Sequence, residues 1–264
     1  MCGRYCLAVP LEGLPAPLAA ALPDGLAAHY APRDLIRPGE PVLALRQEHG
    51  RLEGALLLWG LLPDWAKDPL GAPRPFNARA ETVAEKASFR GAWRHRRCLL
   101  PADAFLEKGR RIERCDGAPF WLAGLWERWI GPDGSEVESC CVLTTAPNAL
   151  VAPLHDRMPV IVPAGLEQAW LEPKDGPGLR ALEPLLGSWD PAGWEAVKLE
   201  LGSLRGSPTP AAGQRGSGGS LPNAARPSPS LPLSLSPAGP ASPAAPGGSL
   251  QAVQLDLLEG GSTL

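Results

Sequence analysis

Short apolar or alternating runs, each bounded by Gly, Pro or Asp, set the pattern of the chain upstream of Gly206. Pro41 to Leu45, Leu52 to Trp59, Phe120 to Trp129, Ser139 to Thr145 and Met158 to Val162 suit strands by length and pattern. Ala80 to Phe89 and Gly165 to Leu171 read as helices. The strands cluster without regular helical crossovers. The pattern therefore predicts an α+β fold on an antiparallel or closed sheet, not a doubly wound one. No internal repeat is visible.

From Gly206 to Leu250 the pattern disappears, and ten prolines and eight glycines fill 45 residues. Ser and Ala supply most of the remainder, a composition that cannot build a packed core and predicts a disordered linker. The expected organisation is a domain over residues 1–205, a linker over 206–250 and a short tail over 251–264. The tail turns apolar again, and Gln254-Leu255-Asp256-Leu257-Leu258 on its tether looks like a docking peptide rather than core.

Composition narrows the function classes. The chain has 264 residues, of which 44% are hydrophobic, enough for one sizeable core without disulfides or metal. A formal net charge of −3 argues against a broad cationic surface, so any nucleic-acid contact must be local. The six cysteines show neither a CxxC pair nor a zinc spacing, so no disulfide framework, metal site or cofactor is expected. The start of the chain lacks a basic-then-apolar signal, and no apolar run approaches a membrane span. A soluble cytoplasmic monomer is expected.

Cys2 carries the most distinctive chemistry. A small residue at position 2 permits removal of Met1, which would leave an amine and a thiol on adjacent carbons. Such a 1,2-aminothiol condenses with an aldehyde, the amine forming an imine and the sulfur closing a five-membered thiazolidine. The second step is intramolecular, where effective molarities reach about 10⁵–10⁸ M. Ordinary pKa values for an α-amine and a thiol leave neutral amine and some thiolate near neutrality. Gly3 permits close backbone approach, and Arg4 stands ready for a phosphate.

Other residues invite both structural and functional readings. Asn77 suits capping of the predicted helix at Ala80 or orienting a ligand, Arg79 suits a phosphate, and Glu81 complements a helix dipole. Glu107 ends an apolar run, where a carboxyl can shuttle a proton; pairing with Lys108 is the alternative. His155, Asp156 and Arg157 gather a general acid, an orienting carboxylate and a guanidinium, or else a structural turn. Two basic runs, Arg90 to Arg97 and Lys108 to Arg114, are either solvated faces or phosphate tracks. Trp59, Trp65 and Phe76 are either core or platforms for unpaired bases.

In joint order and spacing these residues resemble the SOS response-associated peptidase (SRAP) family. The resemblance runs from Met1 to about Trp170. It rests on Met1-Cys2-Gly3-Arg4-Tyr5, on Arg37 to Val42, and on Trp59-Gly60-Leu61 with Pro63 and Trp65. Phe76 to Thr82, Phe89 to Pro101, Phe105-Leu106-Glu107, Leu143 to Ala146 and Leu154 to Pro163 complete it. It implies a single α+β domain on a β-barrel-like sheet with a positively charged cleft for single-stranded DNA. It further implies Cys2 as nucleophile, Asn77 as the residue positioning it, Glu107 as proton shuttle and His155 as acid for sugar-ring opening. Arg4, Pro38, Trp65, Arg79, Thr145 and Arg157 would line or grip the DNA. The chain departs from the family at Leu106 and Lys108, where aromatic residues usually flank the Glu, and at Leu35, where Asn is common. The usual C-terminal Val-Asn element is not recognisable around Val197 to Ser207.

The resulting expectation is a sensor that crosslinks to abasic sites in single-stranded DNA at replication forks, with lyase activity as an associated reaction. An N-terminal-nucleophile peptidase or amidase, and a non-catalytic single-strand-binding adaptor, are the alternatives. The tail peptide Gln254 to Leu258 resembles a ligand of the bacterial sliding clamp, which makes that clamp an expected partner.

Overall fold

The computed structural model describes residues 2–199, and every structural statement below concerns those residues. Its first strands are β1 (Tyr5–Leu7), β2 (Arg33–Ile36), β3 (Pro41–Glu48) and β4 (Arg51–Trp59). The short β5 (Asn77–Arg79) is followed by β6 (Arg97–Ala102), β7 (Ala104–Glu107) and β8 (Arg110–Arg114). The long β9 (Phe120–Ile130) and β10 (Glu136–Thr145) precede β11 (Met158–Pro159), β12 (Ile161–Val162) and β13 (Trp194–Lys198).

Strands β3, β4, β10, β9 and β6 form a ring of pairings, because β10 joins β4 in parallel and β9 antiparallel. Closure removes the free edges and leaves an interior filled by side chains such as Leu45, Leu57, Leu99 and Val142, all buried. The second sheet runs β13-β8-β7-β1-β2 and is antiparallel throughout. Two hairpins follow from their turn residues. His49-Gly50 and Lys108-Gly109 each adopt positive φ, at 50° and 76° and at 42° and 72°. Two consecutive left-handed residues make the turn whose twist matches the flanking strands, and Gly takes the second place in both.

Two buried charges tie the elements together. Arg97, 1% exposed, donates to the backbone carbonyls of Trp93, Arg94, Trp170 and Glu172. It thereby locks the helix at Arg90–His95 to the one at Glu167–Leu171. Asp103 accepts from the Ala8 and Val9 amides and from Arg111, and so pins the chain just beyond β1.

The α+β class and the closed sheet match the expectation, but several local readings change. Ala80 to Phe89 is not a helix: a 3-10 turn at Ala80–Thr82 is followed by turns, and the α-helix begins only at Arg90. Register with β10, in which Val142, Leu143 and Thr144 face Asn77, Ala78 and Arg79, fixes the preceding backbone as strand and overrides the local pattern. The Gly165 to Leu171 helix shortens to Glu167–Leu171, and Met158 to Val162 breaks at Val160. The two basic runs are only partly open: Arg90, Arg94, His95, Lys108 and Arg110 are exposed, whereas the other arginines are internal or paired. Arg97 is internal, Arg96 pairs with Glu127, Arg111 with Asp103 and Glu113, and Arg114 with Asp116.

Candidate active site

Strand β1 has partners on both sides, β2 and β7, which builds the start of the chain into the second sheet. Tyr5 lies opposite Phe105, and the Leu106 amide donates to the Arg4 carbonyl, 2.9 Å away. One step further along this register, half-buried Glu107 at the end of β7 comes alongside the chain terminus. Cys2 itself is 1% exposed and belongs to the main core.

From the barrel side, β5 brings Asn77 to the same point. Its Nδ2 donates to the Cys2 carbonyl at 2.9 Å, while its Oδ1 is buried with no hydrogen-bond partner. Asn77 therefore holds the backbone of Cys2 and caps no helix. Behind it, Trp59 donates from Nε1 to the Phe76 carbonyl at 2.8 Å and packs edge-on against Tyr5 and Phe76. Trp59 is completely buried, so it is core and not a base platform; Trp65, 58% exposed on the loop after β4, has a face open to one.

Burial pushes the Cys2 thiol up to about 12, and the Glu107 charge adds to the effect. With Met1 in place, burial therefore disfavours the thiolate form of the sulfur. Lys108 forms no ion pair with Glu107 among the described residues, since it serves the β7–β8 turn and is exposed.

Asn77 and Arg79 open onto a cleft of about 510 Å³, whose other walls include Lys86, Ser88, Thr144, Asp156 and Arg157. His155 stands beside it in the segment joining β10 to β11. Its Nδ1 lies 2.7 Å from Asp156 Oδ1 and accepts from the Arg157 amide at 2.9 Å. Arg157 is committed elsewhere: its guanidinium donates to both Glu81 carboxylate oxygens, at 2.6 and 2.9 Å, and to the Thr144 carbonyl. That pairing holds the Glu81 carboxyl below its usual range.

Of the residues singled out from sequence, Cys2, Asn77 and Glu107 meet at one point, and Arg79 and Arg157 line the adjoining cleft. Arg4 is exposed next to Cys2, and Pro38 sits in the turn before β3. Thr145 is buried and lines a neighbouring cavity with Glu81, while Thr144 lines the cleft itself. Lys86, Ser88 and Phe89 are cleft residues that sequence reasoning did not single out as site residues, because only the fold brings them beside Asn77 and Arg79. Gln254, Leu255, Asp256, Leu257 and Leu258 lie outside the described residues.

The family model for SOS response associated peptidase (SRAP) matches residues 1–202. The chain belongs to the SRAP family. Similar SRAP proteins include abasic site processing protein YoqW of Bacillus subtilis strain 168, 36% identical over 79% of this chain and 95% of that protein. Abasic site processing protein YoaM of the same organism is 35% identical over 79% of this chain and 94% of its own length. Abasic site processing protein YedK of Escherichia coli K12 is 28% identical over 78% and 96%. The fold is also found in a solved Bacteroides thetaiotaomicron protein, with a TM-score of 0.63 at 22% identity over 76% of this chain and 93% of that one. A Bordetella bronchiseptica structure gives 0.61 at 24% identity over 76% and 100%.

Proposed function

We propose that this protein senses abasic sites in single-stranded DNA and crosslinks to them through Cys2, shielding the lesion at replication forks. Removal of Met1 frees the Cys2 amine, which adds to the C1′ aldehyde of the ring-opened sugar and loses water to give an imine. The thiol then adds across the C=N bond: sulfur bonds to carbon, the thiol proton goes to nitrogen, and a thiazolidine results. His155 supplies the proton that opens the sugar ring. Glu107, whose charge already bears on the buried thiol, relays the proton from sulfur to nitrogen.

The observation that carries this reading is the Asn77 amide. Its Nδ2 holds the Cys2 carbonyl, and its buried Oδ1 is left to accept from the amine that appears when Met1 is removed. A peptidase would require the sulfur as a thiolate nucleophile. Burial of the sulfur disfavours that form, and the unpartnered Asn77 Oδ1 offers an acceptor to the amine instead, which supports condensation by the amine first. Ring closure consumes the same imine that strand cleavage by elimination would use, so crosslinking and lyase chemistry compete at one intermediate. The strand contacts fall to Arg4, Pro38, Trp65, Arg79, Thr145 and Arg157, and the sliding clamp would be met through Gln254 to Leu258.

The test is denaturing electrophoresis of the purified protein with abasic and intact single-stranded oligonucleotides. A covalent band with the abasic strand alone, lost in Cys2→Ala, is expected. A Cys2→Ala protein that still crosslinks would refute the mechanism.

A further inference from the structure

We propose that Glu81 limits how tightly the cleft holds undamaged DNA, by occupying the guanidinium fork that a strand phosphate would otherwise take. This inference rests on the cleft being the DNA site proposed above. A carboxylate and a phosphate offer the same pair of oxygens to an arginine fork, and Glu81 meets Arg157 in that bidentate manner. The two partners are unequal: the Arg157 side chain is 15% exposed and anchored on the Thr144 carbonyl, while the Glu81 side chain is 50% exposed. Glu81 is thus the partner that can leave. A second cavity of about 480 Å³, lined by Glu81, Val83, Thr145 and Leu186, adjoins it and gives the displaced carboxylate room.

The charge balance points the same way. The cations on the cleft wall are Arg79, Lys86 and Arg157, and the acid on it is Asp156. With Glu81 seated on Arg157, Arg79 and Lys86 are left to meet a strand. A protein that gains retention from a covalent bond at a rare lesion benefits from a weak grip on the far more abundant intact strand. Glu81 supplies that weakness as a built-in competitor.

Fluorescence anisotropy with an undamaged single-stranded oligonucleotide, titrated over a range of NaCl, tests the proposal without using Cys2 chemistry. It can be run in a Cys2→Ala background, so a failure of crosslinking would not affect it. An ion pair with one half-exposed partner is worth a factor of up to about five, so Glu81→Gln should bind about threefold to fivefold tighter. The slope of log affinity against log salt should steepen by about 0.7, the value for one further phosphate on a single strand. The gain should vanish in Glu81→Gln/Arg157→Ala, which should bind no better than Arg157→Ala alone. Unchanged or weaker binding by a folded Glu81→Gln protein would overturn the proposal. If that variant does not fold, the wild type answers: adding the oligonucleotide must shift the ¹⁵N resonance of the Arg157 side chain. An unmoved resonance at saturation would overturn the proposal equally.

Discussion

Asn77→Ala should affect the protein differently before and after Met1 removal. In the unprocessed chain, the substitution removes the donor at 2.9 Å from the Cys2 carbonyl and leaves that carbonyl unsatisfied. This costs about 1–3 kcal/mol. It also deletes a buried Oδ1 that has no partner, relieving a penalty of similar size. The two nearly cancel, for a net change under about 1 kcal/mol. In the processed chain the Oδ1 acquires a charge-assisted bond from the Cys2 ammonium, worth about 1.5–3 kcal/mol, and the cancellation ends. Asn77→Ala should then cost about 2.5–6 kcal/mol, or roughly 5–24 °C in Tm for a domain of this size. Paired thermal melts of wild type and variant, each in the processed form and with an uncleaved N-terminal extension, give the comparison; intact mass assigns the terminus. Crosslinking by processed Asn77→Ala should be about 10²-fold slower, because the amine loses its orientation. Equal destabilisation of both forms, or crosslinking at the wild-type rate, would refute the argument.

Three further outcomes are expected. Trp65→Ala should weaken binding of intact single strands by about 1–3 kcal/mol through loss of one stacked base, with Tm unmoved since the ring is 58% exposed; anisotropy and a melt suffice. Arg97→Met should cost about 3–5 kcal/mol in urea unfolding, because four backbone carbonyls lose their donor. Alkaline unfolding under reducing conditions should follow the raised thiols of Cys2 and Cys6, both held at about 12 against an ordinary value of 9.0. Folded and unfolded chains are both protonated at these thiols below about pH 8. Above about pH 9 the unfolded thiols ionise first, so the stabilisation is lost between about 9 and 12, at about 1.4 kcal/mol per pH unit for each thiol. Cys6→Ala should flatten that decline, and an unchanged alkaline limb would contradict it.

What the sequence made legible was set by length and repetition. β3, β4, β9 and β10 span eight to eleven residues, so each displays a recognisable apolar run bounded by turn residues. β1, β5 and β7 have three or four residues and exist because distant partners hold their register, which no local window contains. The same limit explains why the residues around Asn77 left two readings open, a helix cap or an orienting side chain. Its helix-capping chemistry is a local property, whereas its contact with Cys2 spans 75 positions. Trp59 and Trp65 are indistinguishable by residue type, and only the closed barrel makes one core and leaves the other exposed. β13 from Trp194 to Lys198 had no recognisable signature, yet it pairs residue by residue with β8 and completes the second sheet.

The position of Cys2 connects these long-range pairings to chemistry. Chain termini ordinarily lie at the surface and fray, since few contacts restrain them. Here the second residue is buried, the adjacent strand is paired on both edges, and the Asp103 carboxylate holds the backbone amides of Ala8 and Val9. A 1,2-aminothiol on a frayed terminus would meet an aldehyde with little more than solution reactivity. The large effective molarities of intramolecular chemistry arise only when the reacting groups are held in place. Strand β1, its two partners and Asp103 supply rigidity to this end of the sheet, and Asn77 from the barrel adds a hydrogen bond to the Cys2 carbonyl. Cys2 thus has the fixed surroundings usually reserved for interior side chains, so on the proposed mechanism the second sheet is as much a part of the site as the residues that touch Cys2.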